Sequence, residues 1–266
     1  MKALNLCADD FGYSNSVNQG ILNLVKLGKL NAVSCLTNFP LWPEAAKTLH
    51  HVLNEDCSIG LHLNFTEGSA LTQAAQPYFG SLSTVMRRAF LRSFSLPILK
   101  AEIKAQIDAF TRAMGRLPSH IDGHQHIHHL PQIRDALLDV YAEVYPDQNA
   151  WIRISGNPRW RDNLHPLKAF IIAATGALHL RKLLLQKGIP HNSSFAGIYA
   201  FSEDANYPKL FAGFVKQTQE GGLIMCHPGL PSEDIEDEIY QSRGMEYRFF
   251  SSYTVCNARS ARPIKR

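Results

Sequence analysis

The chain alternates between short apolar runs and longer segments in which apolar residues recur every three or four positions. The short runs predict buried strands within KALNLCA, NAVSCLT, SIGLHLN, SHIDG, WIRIS, SFAGIYA and GLIMCH. The longer segments predict helices that start near Ser14, over PEAAKTLHHVL, ILKAEIKAQIDAFTRAMG and PQIRDALLDVYAEVY, and at about 166–186 and 205–219. Repeated strand-then-helix units indicate an α/β fold with a parallel sheet covered by helices.

The limits of the first helix are marked by local signals. Ser14 is a suitable N-cap and Gly28 a suitable stop. No linker rich in Pro, Gly or Ser divides the chain, so residues 1–266 are expected to form a single domain of the size of one α/β barrel. Residues 65–98 show no clear period and are expected to form an irregular segment on the substrate side of the sheet.

Acidic and imidazole side chains stand where four of the predicted strands end. The first strand runs into Asp9 and Asp10, the third carries His62, and GLIMC is followed by His227. SHIDG runs into a cluster of four histidines, at positions His124, His126, His128 and His129. The carboxyl ends of parallel strands meet on one face, so these groups are expected to converge.

One carboxylate with two imidazoles is a common ligand set for a divalent cation, and a second aspartate beside it could take a proton. Structural readings remain open for each feature. Asp9 and Asp10 also suit a cap or turn, His62 suits a hydrogen-bonded core position, and CHPG suits a strand-to-turn junction.

Composition narrows the class of protein and its partners. Hydrophobic residues make up 45% and charged residues 19% of the chain, as in ordinary soluble proteins. A net charge of +4 and the basic tail NARSARPIKR are weak grounds for a nucleic-acid partner, and none is expected. The most apolar window is interrupted by Lys168, His179 and Arg181, so no membrane span is expected.

The cysteine count and the first residues point to a reducing compartment. The chain has five cysteines, an odd number, and no CxxC pair. No signal peptide is visible, because Met1 and Lys2 lead directly into the first strand. We expect a cytoplasmic protein with reduced thiols, and a homodimer is a common state for such proteins.

Four motifs together resemble the YdjC-like carbohydrate deacetylases, a family that includes chitooligosaccharide deacetylases and hopanoid-associated proteins. They are ADDFGYSNSVNQGI, SIGLHLN, PSHIDGHQHIHHLPQI and MCHPG, in that order across about residues 1–230. The resemblance implies a deformed (β/α) barrel, TIM-barrel-like and related to the NodB-type polysaccharide deacetylases. It also implies hydrolysis of an N-acetyl group from an amino sugar, with one divalent metal ion, magnesium or zinc.

The resemblance also implies a role for each residue that matches the motifs. Asp10, His62 and His124 would be the metal ligands. Asp9 would be the general base and His227 the general acid.

Two further residues of the histidine motif are candidates for supporting roles. His128 is the substitute ligand, because it shares a face with His124 whether the segment is extended or helical. Asp122 could orient a ligand imidazole from behind. Several aromatic side chains could either stack on a sugar ring or pack in the core: Phe11, Tyr13, Trp42, Phe65 and Phe195.

Two other classes of function compete with this interpretation. One is another metal-dependent hydrolase, a phosphoesterase or a cyclic amidohydrolase, whose sites often bind two metals. The other is a sugar-binding relative without catalytic activity, which would not need Asp9 or His227. Residues 65–98 and the stretch after Gly229 differ from better-known family members, so the identity of the sugar is not carried over.

Overall fold

Seven parallel strands form one sheet in the computed structural model, which describes residues 4–52, 57–156, 172–232 and 237–253. Their order is β5-β4-β3-β2-β1-β7-β6, and every neighbouring pair is parallel. The strands are β1 (Asn5–Phe11), β2 (Ala32–Cys35), β3 (Ser58–Leu63), β4 (His120–Gly123), β5 (Trp151–Ile152), β6 (Phe195–Ala196) and β7 (Leu223–Cys226). The sheet curls into a half-barrel surrounded by helices, which confirms the predicted deformed (β/α) barrel.

Helices connect the strands and cover the sheet. Within the described ranges they are α1 (Asn15–Lys26), α2 (Trp42–Val52), α3 (Leu82–Phe90), α4 (Leu96–Met114), α5 (Ile133–Val144), α6 (Leu178–Lys187), α7 (Tyr207–Gln217) and α8 (Tyr240–Ser252). Shorter 3-10 turns lie at Gln73–Tyr78 and His124–His129, and a π turn at Ala173–Ala177 precedes α6. None of the described helices combines the length and apolarity that crossing a bilayer requires.

Local signals limit the helices largely as predicted. The Ser14 hydroxyl accepts a hydrogen bond from Val17 N at the start of α1, and Gly28 follows its end with φ +64°. Gly115 ends α4 with φ +68°, a left-handed conformation that glycine adopts at little cost. The next predicted helix begins later than expected, at Ile133 rather than in the turn that contains Pro131.

Within the described residues the core contains two large apolar clusters and a smaller third one. One joins β1 and β2 to α1, α2, α7 and α8 and includes Ile21, Trp42 and Phe214. The other joins β3, β4, α4 and α5 and includes Ile107 and Leu137. Burying these apolar faces against a continuous sheet stabilises the strand ends that carry the polar residues.

Two parts of the architecture differ from the prediction. Residues 65–98 are not irregular throughout, because they contain the 3-10 turn and α3. Only Val85 and Ala89 of α3 are buried, which leaves a weak apolar pattern in the sequence. Helix α8 was not predicted at all, since its buried face is largely polar.

Some expectations fall outside the described residues. These are the first part of the helix predicted at about 166–186, the basic tail and Cys256. The four cysteines inside the described ranges are buried and free: Cys7, Cys35, Cys57 and Cys226.

Candidate metal-dependent active site

A cavity of about 580 Å³ opens at the carboxyl ends of the strands. All five residues to which the resemblance gives a central role line it: Asp9, Asp10, His62, His124 and His227. The fold thus brings together side chains from β1, β3, the turn after β4 and the loop after β7. Their convergence follows from the parallel direction of the strands.

The end of β1 directs two adjacent carboxylates into one cavity. The pairing of β1 with β2 shifts register between Ala8 and Phe11, and Asp10 has φ +67°. In a regular strand adjacent side chains face opposite sides, so this local irregularity is what lets Asp9 and Asp10 share the cavity. Gly12 completes the turn with φ +104°, where a Cβ would lie 2.6 Å from Leu36 O.

Asp10, His62 and His124 form the candidate ligand set. Asp10 Oδ1 lies 3.0 Å from His124 Nδ1 and 3.4 Å from His62 Nε2. One potential ligand atom from each side chain falls within 4.8 Å of the others. The donor set fits a divalent cation, since one carboxylate oxygen and two imidazole nitrogens are close together and buried.

Each candidate ligand imidazole is held by a second carboxylate on its other nitrogen. Asp122 Oδ1 lies 2.6 Å from His62 Nδ1, and Glu67 Oε1 lies 3.1 Å from His124 Nε2. Carboxylates behind ligand histidines are a usual feature of metal sites, because they set the tautomer and orientation of the ring. The contact of Asp122 is the one required by its predicted orienting role. Glu67 was missed by the sequence analysis.

The charges of these groups reinforce one another. Burial alone raises the pKa of Asp10, but the positive charges of Arg243 and His124 outweigh it and hold that pKa well below its usual range. Burial lowers the pKa of His62, yet Asp122 and Asp9 raise it to about 10. Burial also lowers the pKa of His124, but the negative charge of Asp10 outweighs this effect and raises the pKa to about 9. The site therefore attracts positive charge, and a metal ion would displace protons from both imidazoles.

Arg153 binds both carboxylate oxygens of Asp9. Arg153 Nη1 lies 2.6 Å from Asp9 Oδ2, and Nη2 lies 2.7 Å from Asp9 Oδ1. The same Nη2 atom lies 2.5 Å from Asp122 Oδ2. The guanidinium is fully buried just after β5, and its fork matches the carboxylate of Asp9. This residue was not predicted, although an arginine inside the apolar run WIRIS is a signal of a buried charged partner.

Arg243 of α8 holds Asp10 from the other side. Its Nη2 atom lies 2.9 Å from Asp10 Oδ2, and its Nε donates a hydrogen bond to Asp237 Oδ2 at 2.6 Å. The guanidinium also stands over the ring of Tyr13, 5.3 Å from the centroid. Because Arg243 takes Oδ2, the Oδ1 atom of Asp10 is left to face the two histidines. No motif pointed to this residue.

His227 lies in the loop after β7. Its backbone N–H donates to Glu246 Oε2 at 2.5 Å, and its ring meets the ring of Phe201 edge-on at 5.2 Å between centroids. Its Nδ1 atom has no hydrogen-bond partner among the described residues. Burial lowers the pKa of His227 to about 4, so its imidazole is neutral near pH 7.

The other histidines of the cluster do not join the ligand set. Gln125 and His126 have φ +51° and +62°, so the segment is neither extended nor α-helical. This path turns His128 away, and its Nε2 donates to Arg153 O at 2.9 Å. His128, the predicted substitute ligand, therefore lies outside the cavity lining, whereas His126 contributes to it.

The candidate aromatic residues divide between the cavity and the core. Tyr13 lines the cavity, and so does Phe201, which the sequence analysis did not select. The other four candidates are buried in the core: Phe11, Trp42, Phe65 and Phe195.

Fold and site together define an α/β half-barrel protein with a candidate single-metal centre at the carboxyl ends of its strands. The chain belongs to the YdjC-like protein family, whose model matches residues 3–259. This confirms the family expected from the four sequence motifs.

Curated relatives and a solved structure match much of the chain. A human carbohydrate deacetylase is 27% identical over 255 residues, covering 86% of this chain and 75% of the relative. A chitooligosaccharide deacetylase of Serratia marcescens is 28% identical over 248 residues, covering 91% and 86%. A Danio rerio carbohydrate deacetylase is 33% identical over 157 residues, which span 46% of its length. A solved structure from Enterococcus faecalis V583, of a candidate cellobiose-phosphate cleavage protein, shares the fold with a TM-score of 0.60 and 22% identity, covering 97% of this chain and 98% of that one.

Proposed function

We propose that this protein is a metal-dependent carbohydrate N-deacetylase. It hydrolyses the N-acetyl group of an amino sugar or an N-acetylated oligosaccharide and releases acetate. The observation that carries the proposal is the convergence of Asp10, His62 and His124 in one cavity, with Asp9 beside them. The deacetylase names of the curated relatives support the same reaction.

Asp10, His62 and His124 would hold one divalent ion, either magnesium or zinc. When bound, such an ion polarises the acetamide carbonyl and lowers the pKa of a water molecule. Asp122 and Glu67 keep the two imidazoles oriented toward Asp10 through the hydrogen bonds described above.

Asp9 is the proposed general base. Its carboxylate accepts a proton from the water that attacks the acetyl carbon. Arg153 binds both of its oxygens and fixes its plane, while each oxygen keeps a second lone pair for that proton. The ion pair is fully buried, so Asp9 is oriented before substrate arrives.

His227 is the proposed general acid. The departing sugar amine is a poor leaving group unless it is protonated, and His227 lines the cavity where the amide would lie. Its imidazole starts neutral near pH 7, because burial lowers its pKa to about 4. The proton that Asp9 takes from the water must therefore reach this ring and pass to the amine nitrogen as the C–N bond breaks, which returns Asp9 to its carboxylate form.

The cavity suits a sugar ring. Its volume is within the usual range for small-molecule sites. Tyr13 and Phe201 offer apolar faces to a pyranose, and Glu67, Gln125 and Glu238 offer polar groups to its hydroxyls.

A hydrolase with two metals is disfavoured by the position of Arg153. Two other groupings in the described part of the chain have ligand-like spacing, Cys7–His120–Asp122 and Asp9–His62–Asp122. Arg153 Nη2 already contacts the carboxylates of Asp122 and Asp9, and it lies 3.0 Å from Cys7 Sγ. Its guanidinium supplies the positive charge that a second cation would bring.

The test is acetate release from a panel of N-acetylated mono- and oligosaccharides, with chelator and with metal added back. We expect activity to be lost with chelator and restored by metal. Asp9→Asn should abolish turnover while leaving one metal bound per chain, and Asp108→Asn, an exposed change on α4, should alter neither. Wild-type activity in Asp9→Asn, or two metals per chain, would contradict the proposal. The cytoplasmic location and the homodimer stay predictions.

A further inference from the structure

Helix α8 carries two buried charged side chains one turn apart, Arg243 and Glu246. Their exposed fractions are 4% and 0%. Residues three apart lie on the same face of a helix, so both point toward the sheet. Burying charge is costly unless it is paired, and helix packing alone would be served better by apolar residues.

Arg243 connects α8 to the ligand set and to the loop after β7. Its guanidinium binds Asp10 Oδ2, and its backbone carbonyl accepts a hydrogen bond from Gly229 N at 3.1 Å. Asp10 itself stands in a left-handed conformation at the end of β1. With Oδ2 bound by Arg243, the Oδ1 atom lies 3.0 Å from His124 Nδ1 and 3.4 Å from His62 Nε2.

Glu246 connects the same helix to His227. Its Oε2 accepts the backbone N–H of His227 at 2.5 Å, and its Oε1 accepts the Tyr199 hydroxyl at 2.6 Å. Both oxygens are thus occupied, one by the backbone of the cavity-lining His227 and the other by the Tyr199 hydroxyl. Burial raises the pKa of Glu246 to about 7, which shows how unfavourable this position is for a carboxylate.

We propose that α8 is the positioning element of the site: Arg243 sets the orientation of Asp10, and Glu246 sets the position of His227. The spacing between the ligand carboxylate and the imidazole acid is then fixed by one turn of a rigid helix rather than by loops. The inference rests on the proposed function for the roles of Asp10 and His227. Neither Arg243 nor Glu246 needs to touch substrate.

The role proposed for Arg243 is tested by measuring metal affinity in the absence of substrate. Zinc affinity is measured by competition with a chromophoric chelator for wild type, Arg243→Lys, Arg243→Met and the exposed control Arg248→Met. We expect Arg243→Met to bind zinc about 10- to 100-fold more weakly, as when other outer partners of ligands are removed. Arg243→Lys should recover part of the loss, and Arg248→Met should match wild type.

Simple electrostatics predicts the opposite sign for the same variant. Removing a positive charge next to a cation site would strengthen zinc binding if Arg243 acted only through its charge. Equal or tighter zinc binding by Arg243→Met therefore overturns the role proposed for Arg243.

The role proposed for Glu246 is tested by measuring kcat and KM separately. We expect Glu246→Leu to lower kcat by about 10- to 100-fold, as when a catalytic group is displaced by up to about 1 Å, with zinc affinity and KM near wild type. Glu246→Gln should keep most activity, because its amide can still accept from His227 N and donate to the Tyr199 oxygen. Glu246→Asp, which retains the charge but is shorter, should fall between them and replaces Glu246→Leu if that variant does not fold.

A readout independent of turnover keeps the two proposals distinguishable. Amide hydrogen exchange at His227 should be slow in wild type and faster in Glu246→Leu. If wild type releases no acetate from any sugar, the proposed function fails, while zinc affinity and amide exchange still test α8. Unchanged exchange and unchanged kcat in Glu246→Leu overturn the role of Glu246.

Discussion

Replacing Arg153 with methionine removes one buried positive charge that two aspartates share. The guanidinium lies within 2.7 Å of both oxygens of Asp9 and 2.5 Å from Asp122 Oδ2, and it is fully buried. Methionine is apolar and close to arginine in volume, so the change leaves little cavity. The loss is therefore chiefly electrostatic: two neighbouring carboxylates stay buried with His62 as the remaining close positive group.

The structure sets the expected magnitude. Removing one partner of a buried ion pair costs about 3–5 kcal/mol, because the other charge stays buried without compensation. Two carboxylates depend on Arg153, so we expect a decrease of about 4 kcal/mol in the free energy of unfolding at pH 7. With a urea m-value of about 3 kcal/mol/M for a chain of this size, the midpoint should fall by about 1.3 M.

Urea unfolding followed by tryptophan fluorescence provides the assay, since Trp42 and Trp151 are buried. Arg153→Lys keeps the charge but loses the two-pronged contact, so its loss should be smaller. Arg112→Met removes an exposed arginine at the end of α4 and should change stability by less than about 0.5 kcal/mol. A loss below about 1 kcal/mol in Arg153→Met, at an unchanged m-value, would refute the argument that Arg153 compensates both aspartates.

Three further predictions follow from the site and its surroundings. Metal at a hundred times its Kd should stabilise the protein by about 2.7 kcal/mol and raise Tm by about 5–10 °C, reversed by chelator; an unchanged Tm would speak against the ligand set. The pKa of Glu246 is raised from 4.5 to about 7, so its contribution to stability is complete below about pH 4.5 and is lost as the pH rises to about 7. It is measured as the difference between wild type and Glu246→Gln, because buried histidines such as His120 and His227, whose pKa is lowered to about 4, contribute in the opposite direction. The fall should be on the order of 3 kcal/mol and absent in Glu246→Gln, as urea unfolding across pH would show; the groups that face this carboxyl are Arg243, Asp9, Tyr199, Tyr207, Cys226 and His227. Gly20→Ala should destabilise by about 1–3 kcal/mol despite the higher helix propensity of alanine, because its Cβ would lie 2.7 Å from Gly229 Cα; a thermal melt equal to wild type would show that α1 and the His227 loop can separate without cost.

The alternation of strands and helices and the location of the candidate ligands could be predicted from the residues alone. Apolar periodicity and capping are local properties, so α1 after Ser14 and α4 up to Gly115 were predictable. The carboxyl ends of parallel strands meet on one face. For that reason Asp10, His62 and His124 could be placed together from the order of the strands.

The groups that hold these residues in place become evident only in the folded chain. Arg153 and Asp9 are 144 positions apart in the chain, and Arg243 lies on a helix whose buried face is polar. A single charged residue has no period, so its partner cannot be inferred before the chain is folded. Likewise, the left-handed turn at Gln125 and His126, rather than spacing, selects His124 over His128.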